Sequence, residues 1–325
     1  MSEAWQSLSA LVVGCGSIGR RHTRVLASLG LQKIHVFDPS EAQVNRLREE
    51  TPSAVPVASF EAGLATEPDT VFVLTPPKLH IPLATAAVEA GHHVFCEKPL
   101  SMSLDGVDEL DALAQAKQRV VMVGMCMRFH KGMRQAKAML DAGRIGRLVA
   151  VRAVVGEYFP EARPDFREAY YSKYSGALDL VHEIDLAIWF SNRPLRRVAA
   201  VHGAYSDLGI EAPDVAAVLI DFEQRCLASI HLDFFGTPKR RCMELYGVDG
   251  SITVHAAHWA DYEIVIHDRA TGEEENLRGQ CERDDMFAAE QRMFLESVIS
   301  GAPVACNIQE AKKSVQVVEQ ALREE

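Results

Sequence analysis

The run Gly14-Cys15-Gly16-Ser17-Ile18-Gly19 is the part of this 325-residue sequence whose residue types and spacing point most directly to chemistry. In a G-x-G-x-x-G run the first glycine permits a tight turn. The second lets the main chain approach a pyrophosphate, and the third lets helix and strand pack closely. A helix opening at Ser17 and Ile18 would offer its free N–H groups and positive end to the phosphates of a dinucleotide. Asp38 fits the same ligand, since it follows at about the twenty-residue spacing where an acidic residue meets the adenosine ribose. Its carboxylate would accept hydrogen bonds from the ribose hydroxyls and repel a 2′-phosphate, so NAD is expected rather than NADP. Asp38-Pro39-Ser40 also reads as a plain turn and helix cap, which Asp and Ser often supply.

Both signals require strand–loop–helix units, and the chain supplies them. Short apolar runs at 8–13, 33–37, 70–74, 93–96 and 120–124 predict strands. Helical periodicity is found at 18–29, 41–50, 79–90 and 104–118. Strands alternating with helices of this length predict βαβ units and a doubly wound parallel sheet, a Rossmann domain over 1–124. The rhythm then changes. A helix at 133–142 leads into a strand at 148–155, an aromatic and charged loop at 158–174 and a helix at 177–190. Strand-like runs follow at 197–205, 215–222, 228–235, 239–246, 251–255 and 262–267, and helices at 284–300 and 309–322 close the chain. Consecutive strands with short turns predict a largely antiparallel sheet, so 125–325 reads as a second α/β domain, closely packed on the first across a cleft.

Two more segments carry a resemblance. Thr75-Pro76-Pro77-Lys78-Leu79-His80 follows the strand VFVL, and Ala87 to Pro99 reads AVEAGHHVFCEKP, ending in Glu97-Lys98-Pro99. With the glycine run and Asp38, in this order, the sequence resembles the glucose–fructose oxidoreductase / inositol dehydrogenase / MocA family. The resemblance implies an open, mostly antiparallel C-terminal sheet that joins subunits, hence a homodimer or homotetramer. It implies that Thr75, Pro76, His80 and Glu97 line the cofactor site. It also implies that Lys98 touches both nicotinamide and substrate. Lys98 falls at the carboxyl end of a parallel strand, where ligands bind in open α/β sheets; the alternative is a solvated surface charge.

The stretch from Ser175 to Asp185 resembles the family's second signature, whose common form spaces Asp and His at i,i+4. Here Asp179 and His182 stand at i,i+3, which on a helix still shares one face. This form, with the looser match of 165–172, resembles a branch linked to bacterial surface-sugar biosynthesis. The chemistry is coherent. Oxidising a secondary alcohol needs a hydride acceptor, which nicotinamide supplies, and a base, for which histidine is suited. It also needs a positive group at the oxygen, and Lys98 can stabilise charge developing there. Asp179 would orient the site or bind a second hydroxyl. His182 could instead be a core histidine, and Asp185 is expected to serve helix packing or support the site from behind. Arg128, Arg167 and Tyr170, with His130, Arg163 and Tyr171, are candidates for holding a polar or anionic substrate, or else for surface ion pairs.

Bulk properties narrow the partners. A net charge of −11 argues against nucleic acid. The cluster Arg20, Arg21, His22, Arg24 is either an anion pocket or a solvated helix face. Seven widely spaced cysteines without C-x-x-C predict neither a disulfide framework nor a zinc site. His255 and His258 lack a third ligand, so no metal is expected. No secretory signal or membrane span is read from the sequence, which predicts a cytoplasmic protein. The expected activity is hydride transfer between NAD and a secondary alcohol or ketone of a sugar, polyol or nucleotide-sugar, in surface-glycan biosynthesis or carbohydrate metabolism. The alternatives are a cofactor-binding regulator of the same fold, or an enzyme that keeps NAD bound for internal redox.

Overall fold

The structure, a computed structural model, describes residues 4–162 and 176–323. The chain divides into two compact units, Met1–Cys126 with Asp284–Val315, and Met127–Arg283 with Gln316–Glu325.

The first unit is built on six strands, β1 (Ser9–Val13), β2 (Lys33–Phe37), β3 (Val55–Pro56), β4 (Thr70–Val73), β5 (His93–Glu97) and β6 (Val121–Gly124). Their order is β3-β2-β1-β4-β5-β6 and every pairing is parallel. This is the arrangement of a dinucleotide-binding sheet. Its central strands are apolar on both faces, and Val71, Phe72 and Val73 have no solvent exposure, as helices on both sides require. Those helices are α1 (Ser17–Ser28), α2 (Glu41–Glu50), α3 (Phe60–Leu64), α4 (His80–Glu89) and α5 (Val107–Ala116). Strand β3 and helix α3 escape the sequence reading because they are two and five residues long.

The second unit holds eight strands in the order β14-β13-β12-β11-β7-β10-β9-β8. They are β7 (Leu148–Gly156), β8 (Leu195–Gly203), β9 (Val215–Phe222), β10 (Cys226–Asp233), β11 (Arg240–Gly247), β12 (Gly250–His255), β13 (Asp261–Asp268) and β14 (Glu274–Gln280). Among the described strands only β7 and β10 pair in parallel; the other pairings are antiparallel. Inner residues of β9 such as Ala216, Val218 and Ile220 are buried, and alternate residues face outward, so the sheet is covered on one face. Helix α6 (Lys131–Asp141) packs against β12 and β13, and α7 (Phe159–Ala162) follows β7. Helix α8 (Val181–Ser191) packs against β7 and β10 and is buried almost all round. Strand β14 was not read from the sequence because EENLRGQ is polar and mostly exposed, an edge strand without apolar alternation.

Two expectations need correction. The closing helix α9 (Arg283–Ser300) does not belong with the second domain. Its Phe294 packs edge-on against Phe72 and Phe95, at 5.5 and 5.7 Å, and seals the Rossmann core. After Ser300, the Cys306 carbonyl accepts from Val123 N–H at 2.9 Å before helix α10 (Ile308–Arg323) begins. The expected helix at 177–190 is not one helix either. Gly176–Asp179 is a 3-10 turn, Leu180 is the N-cap with ψ 48°, and α8 starts at Val181. No helix among the described residues is long and apolar enough to cross a membrane.

Candidate active site

Because all six strands of the first unit run parallel, residues that follow their ends gather along one edge. Gly14 follows β1, Asp38 follows β2, Thr75 follows β4 by two residues, and Lys98 follows β5. Gly14 has φ +100°, and a Cβ there would lie 2.5 Å from the Leu74 carbonyl oxygen. A Cβ on Gly19 would lie 1.9 Å from the Gly14 carbonyl oxygen. Neither site admits a side chain, because the obstacle is main chain. Gly16 differs. It is the N-cap of α1, and a Cβ on it would meet nothing within 4 Å. Among the described residues nothing fills the space above Gly16 and no side chain caps the helix, and its first turn has no acidic residue. An open cradle over an uncapped helix N-terminus fits a dinucleotide pyrophosphate. Ser17 is exposed and Ile18 half-buried beside it.

Asp38 ties this loop together. Its Oδ2 accepts from Cys15 N–H and its Oδ1 from Ser40 N–H, both at 2.8 Å. The turn reading is thus present in the structure. The carboxylate remains half-exposed, with lone pairs left for ribose hydroxyls. Asp38→Ala is expected to narrow the difference in KM between NAD and NADP by about tenfold, the worth of about 1.4 kcal/mol. Steady-state rates with each cofactor check this; an unchanged ratio would remove the ribose role. Burial, followed by the Asp38 charge, pushes the Cys15 thiol up to about 12, so it is no nucleophile.

His80 is fully buried. Its Nδ1 lies 2.8 Å from the Pro99 carbonyl oxygen and its Nε2 2.8 Å from that of Thr75. It therefore joins the Thr75-Pro76 loop to the Lys98-Pro99 turn rather than presenting a ring nitrogen to a ligand. Burial lowers its pKa more than the two carbonyl oxygens raise it. Glu97 is also buried, with Oε2 accepting from Lys98 N–H at 2.8 Å and Oε1 lying 3.1 Å from His22 Nε2. Burial works against its charge, but the His22 bond, the Lys98 charge and the Lys98 N–H hold its pKa below the ordinary value. The basic cluster separates accordingly. Arg20, Arg21 and Arg24 pair with Glu50 and Asp284 on the surface, whereas His22 points into the core.

Glu290, on α9, was missed by sequence reading, and nothing in the local pattern singles it out. It is fully buried, and among the described residues neither carboxyl oxygen has a hydrogen-bond partner. Burial, and then the charge of Glu97, push its pKa well above the ordinary value. An unfolded Glu290 ionises as pH rises above about 4.3 while the folded one keeps its proton. The residue therefore costs stability increasingly from that pH up to its own folded pKa. Glu290→Gln is expected to leave stability near pH 4 unchanged and raise it at pH 7. The gain grows with pH over this interval, because only the unfolded carboxyl ionises there. Urea titrations at the two pH values measure it.

In the second unit, His182 is the second residue of α8 and is 8% exposed, while Asp179 ends the preceding 3-10 turn. The shared helix face argued from i,i+3 spacing does not apply, because the backbone changes course at Leu180. Ala177 N–H anchors the turn on the Pro213 carbonyl oxygen at 2.7 Å. Arg128 is not poised as a surface anion-binder. It is 3% exposed, and its Nε and Nη2 donate to Asp185 Oδ2 and Oδ1 at 2.9 and 2.7 Å. A neighbouring pair, Arg241 and Glu183, meets at 2.7 Å under the Trp259 ring. His130 is buried against Tyr262, with its pKa lowered to about 4 by burial and then by Arg241. Arg167 and Tyr170, like Arg163 and Tyr171, lie outside the described residues.

The comparisons with known proteins agree with this layout. Residues 8–125 match the oxidoreductase family model with an NAD-binding Rossmann fold. Residues 133–253 match the GFO/IDH/MocA C-terminal domain. Myo-inositol dehydrogenase Hyg17 of Streptomyces leeuwenhoekii is 32% identical over 202 residues, 61% of this chain and 60% of that protein, so the chain spans less than two thirds of that relative. Inositol 2-dehydrogenase 2 of Saccharopolyspora erythraea is 30% identical over 261 residues, 75% of this chain and 72% of the other. Among solved structures, UDP-N-acetylglucosamine 3-dehydrogenase GnnA of Acidithiobacillus ferrooxidans superposes with a TM-score of 0.83 over 98% of this chain and 97% of its own, at 21% identity. Levoglucosan dehydrogenase in complex with NADH and levoglucosan superposes at 0.85, at 18% identity, over 98% and 97%. At these identities the structural likeness speaks for the fold alone. A glycine cradle open at Gly16, a parallel sheet edge that carries Asp38 and Lys98, and family matches across both units lead to one assignment: the chain belongs to the GFO/IDH/MocA family of NAD-binding oxidoreductases.

Proposed function

We propose that the chain is an NAD-dependent dehydrogenase acting on a secondary alcohol of a polyol or sugar ring, or on the matching ketone. The observation that carries this reading is the single sheet edge on which the Gly16 cradle, Asp38 and Lys98 stand. Bound NAD would supply the hydride acceptor. The N–H groups at the start of α1 would hold its phosphates and Asp38 its ribose. Lys98 would donate a hydrogen bond from Nζ to the reacting oxygen, where negative charge develops. His182 would take the hydroxyl proton on its imidazole, and Asp179 would hold a second hydroxyl of the ring. The two sequence relatives named above are inositol dehydrogenases, which favours a cyclic polyol over a nucleotide-sugar. Arg167 and Tyr170 remain candidates for the rest of the substrate.

Two further parts belong to this reading. The open face of the eight-stranded sheet exposes Val201, Leu219 and Leu227, which supports assembly of copies through it. The seven free cysteines support a reducing, cytoplasmic setting. The test is NADH formation, followed by absorbance, across inositols, free sugars and UDP-sugars. Turnover of an inositol or sugar supports the reading. Tight NAD binding with no turnover would favour the regulator, or an enzyme that never releases its cofactor.

A further inference from the structure

Lys98 is held from both sides by buried histidines. On its far side, His80 Nδ1 lies 2.8 Å from the Pro99 carbonyl oxygen. On its near side, Glu97 Oε2 accepts from Lys98 N–H, and Glu97 Oε1 meets His22 Nε2. His22 is a residue of α1, the helix whose N-terminus forms the glycine cradle. Its ring has no solvent exposure and sits between Phe95, at 5.2 Å, and the edge of Phe287, at 5.4 Å.

The network meets the His22 ring at both nitrogens. Gln291 Nε2 lies 2.7 Å from His22 Nδ1 and 3.4 Å from the His22 carbonyl oxygen. An amide N–H suits that carbonyl, so Gln291 donates to it and turns the same amide nitrogen to Nδ1. On the other side of the ring Nε2 donates to the Glu97 carboxylate, which when charged can only accept. Beside them burial and the Glu97 charge push Glu290 toward its protonated form, while Glu97 is held toward its charged form behind Lys98. Nothing in hydride transfer uses His22 or Gln291 directly, yet both are spent on orienting Glu97.

We propose that His22 and Gln291 are positioning residues for Lys98: acting through Glu97, they fix the Lys98 turn to the same helix that forms the cofactor cradle. The proposal rests on Lys98 being the lysine of the hydride-transfer site. A shift of the lysine by about 1 Å would cost up to about a hundredfold in rate, because the reacting atoms must meet in one geometry.

The experiment compares His22→Phe, His22→Gln and Gln291→Met with the parent protein in full-length form. Phenylalanine fills the aromatic cage without an N–H, whereas glutamine restores a donor toward Glu97. Two readouts are taken. One is hydrogen exchange of the Lys98 amide in the protein without ligand. The other is kcat and the KM for NAD with whichever alcohol turns over. In His22→Phe the Lys98 amide should exchange at least about tenfold faster than in the parent, and kcat should fall about ten- to a hundredfold with the KM for NAD changed less than about threefold. His22→Gln should recover most of both, and Gln291→Met should fall between. Unchanged exchange and unchanged kcat in His22→Phe would overturn the proposal, as would failure of His22→Gln to recover either. Should His22→Phe not fold, Gln291→Met carries the same two readouts. Should no alcohol react with the parent protein, the dehydrogenase reading fails while the amide exchange still decides the network.

Discussion

Lys98→Met is expected to lower kcat by about a hundredfold to ten-thousandfold while leaving NAD affinity within a few-fold of the parent. Methionine keeps the length and the apolar stem but removes the donor. The main-chain N–H of residue 98 still reaches Glu97 Oε2, so the turn is retained. The loss therefore isolates what Nζ would do at the reacting oxygen in the proposed site. Stabilising a developing negative charge acts on the transition state more than on the bound alcohol, so the loss belongs in kcat rather than in KM. Steady-state kinetics and cofactor titration measure the two quantities separately. A Lys98→Met protein of normal turnover would reassign the lysine to the surface.

The other large effect is on stability. Arg128→Met is expected to destabilise the fold by about 3–5 kcal/mol, since it leaves the Asp185 carboxylate buried without its partner. Arg128 and Asp185 are 3% and 1% exposed, and their bidentate contact replaces the water that each has lost. Removing both charges, in Arg128→Met with Asp185→Leu, should restore much of the loss, because no lone charge remains in the core. At about 2–4 °C for each kcal/mol, the single variant should unfold at least about 6 °C lower than the parent. Thermal unfolding of the three proteins checks this. Equal loss in the single and double variants would mean that packing, not charge pairing, accounts for the effect.

The Rossmann half was legible because its signals are local. Glycines at fixed spacing, buried β-runs and helices of ordinary length each announce themselves within about a dozen residues. The strand order and the sheet edge that gathers Gly14, Asp38 and Lys98 follow from those units once they are parallel. Elements without periodicity were not legible. Strand β14 is polar because it lies at an edge, and the break at Leu180 divides a run whose apolar residues continue across it.

Partners distant in sequence were not legible either. Arg128 reads as a surface arginine until Asp185 is brought to it across 57 positions. His22 reads as part of a basic helix face. Its spacing with Gly19, Thr23 and Leu26, all buried on α1, marks an inward stripe that the adjoining arginines obscure. Glu290 and Gln291 carry no sequence signal at all, since their importance comes from burial against Glu97 and His22.

The most direct measurement uses a cyclic polyol deuterated at the carbon that is oxidised, incubated with the protein and NAD. Mass spectrometry of the cofactor then reads the outcome. Reduced cofactor carrying one deuterium, formed by the parent and largely lost in Lys98→Met and His182→Ala, is the result expected of a hydride-transfer site built from these residues. Bound NAD that never acquires deuterium from any polyol or sugar tested would contradict it.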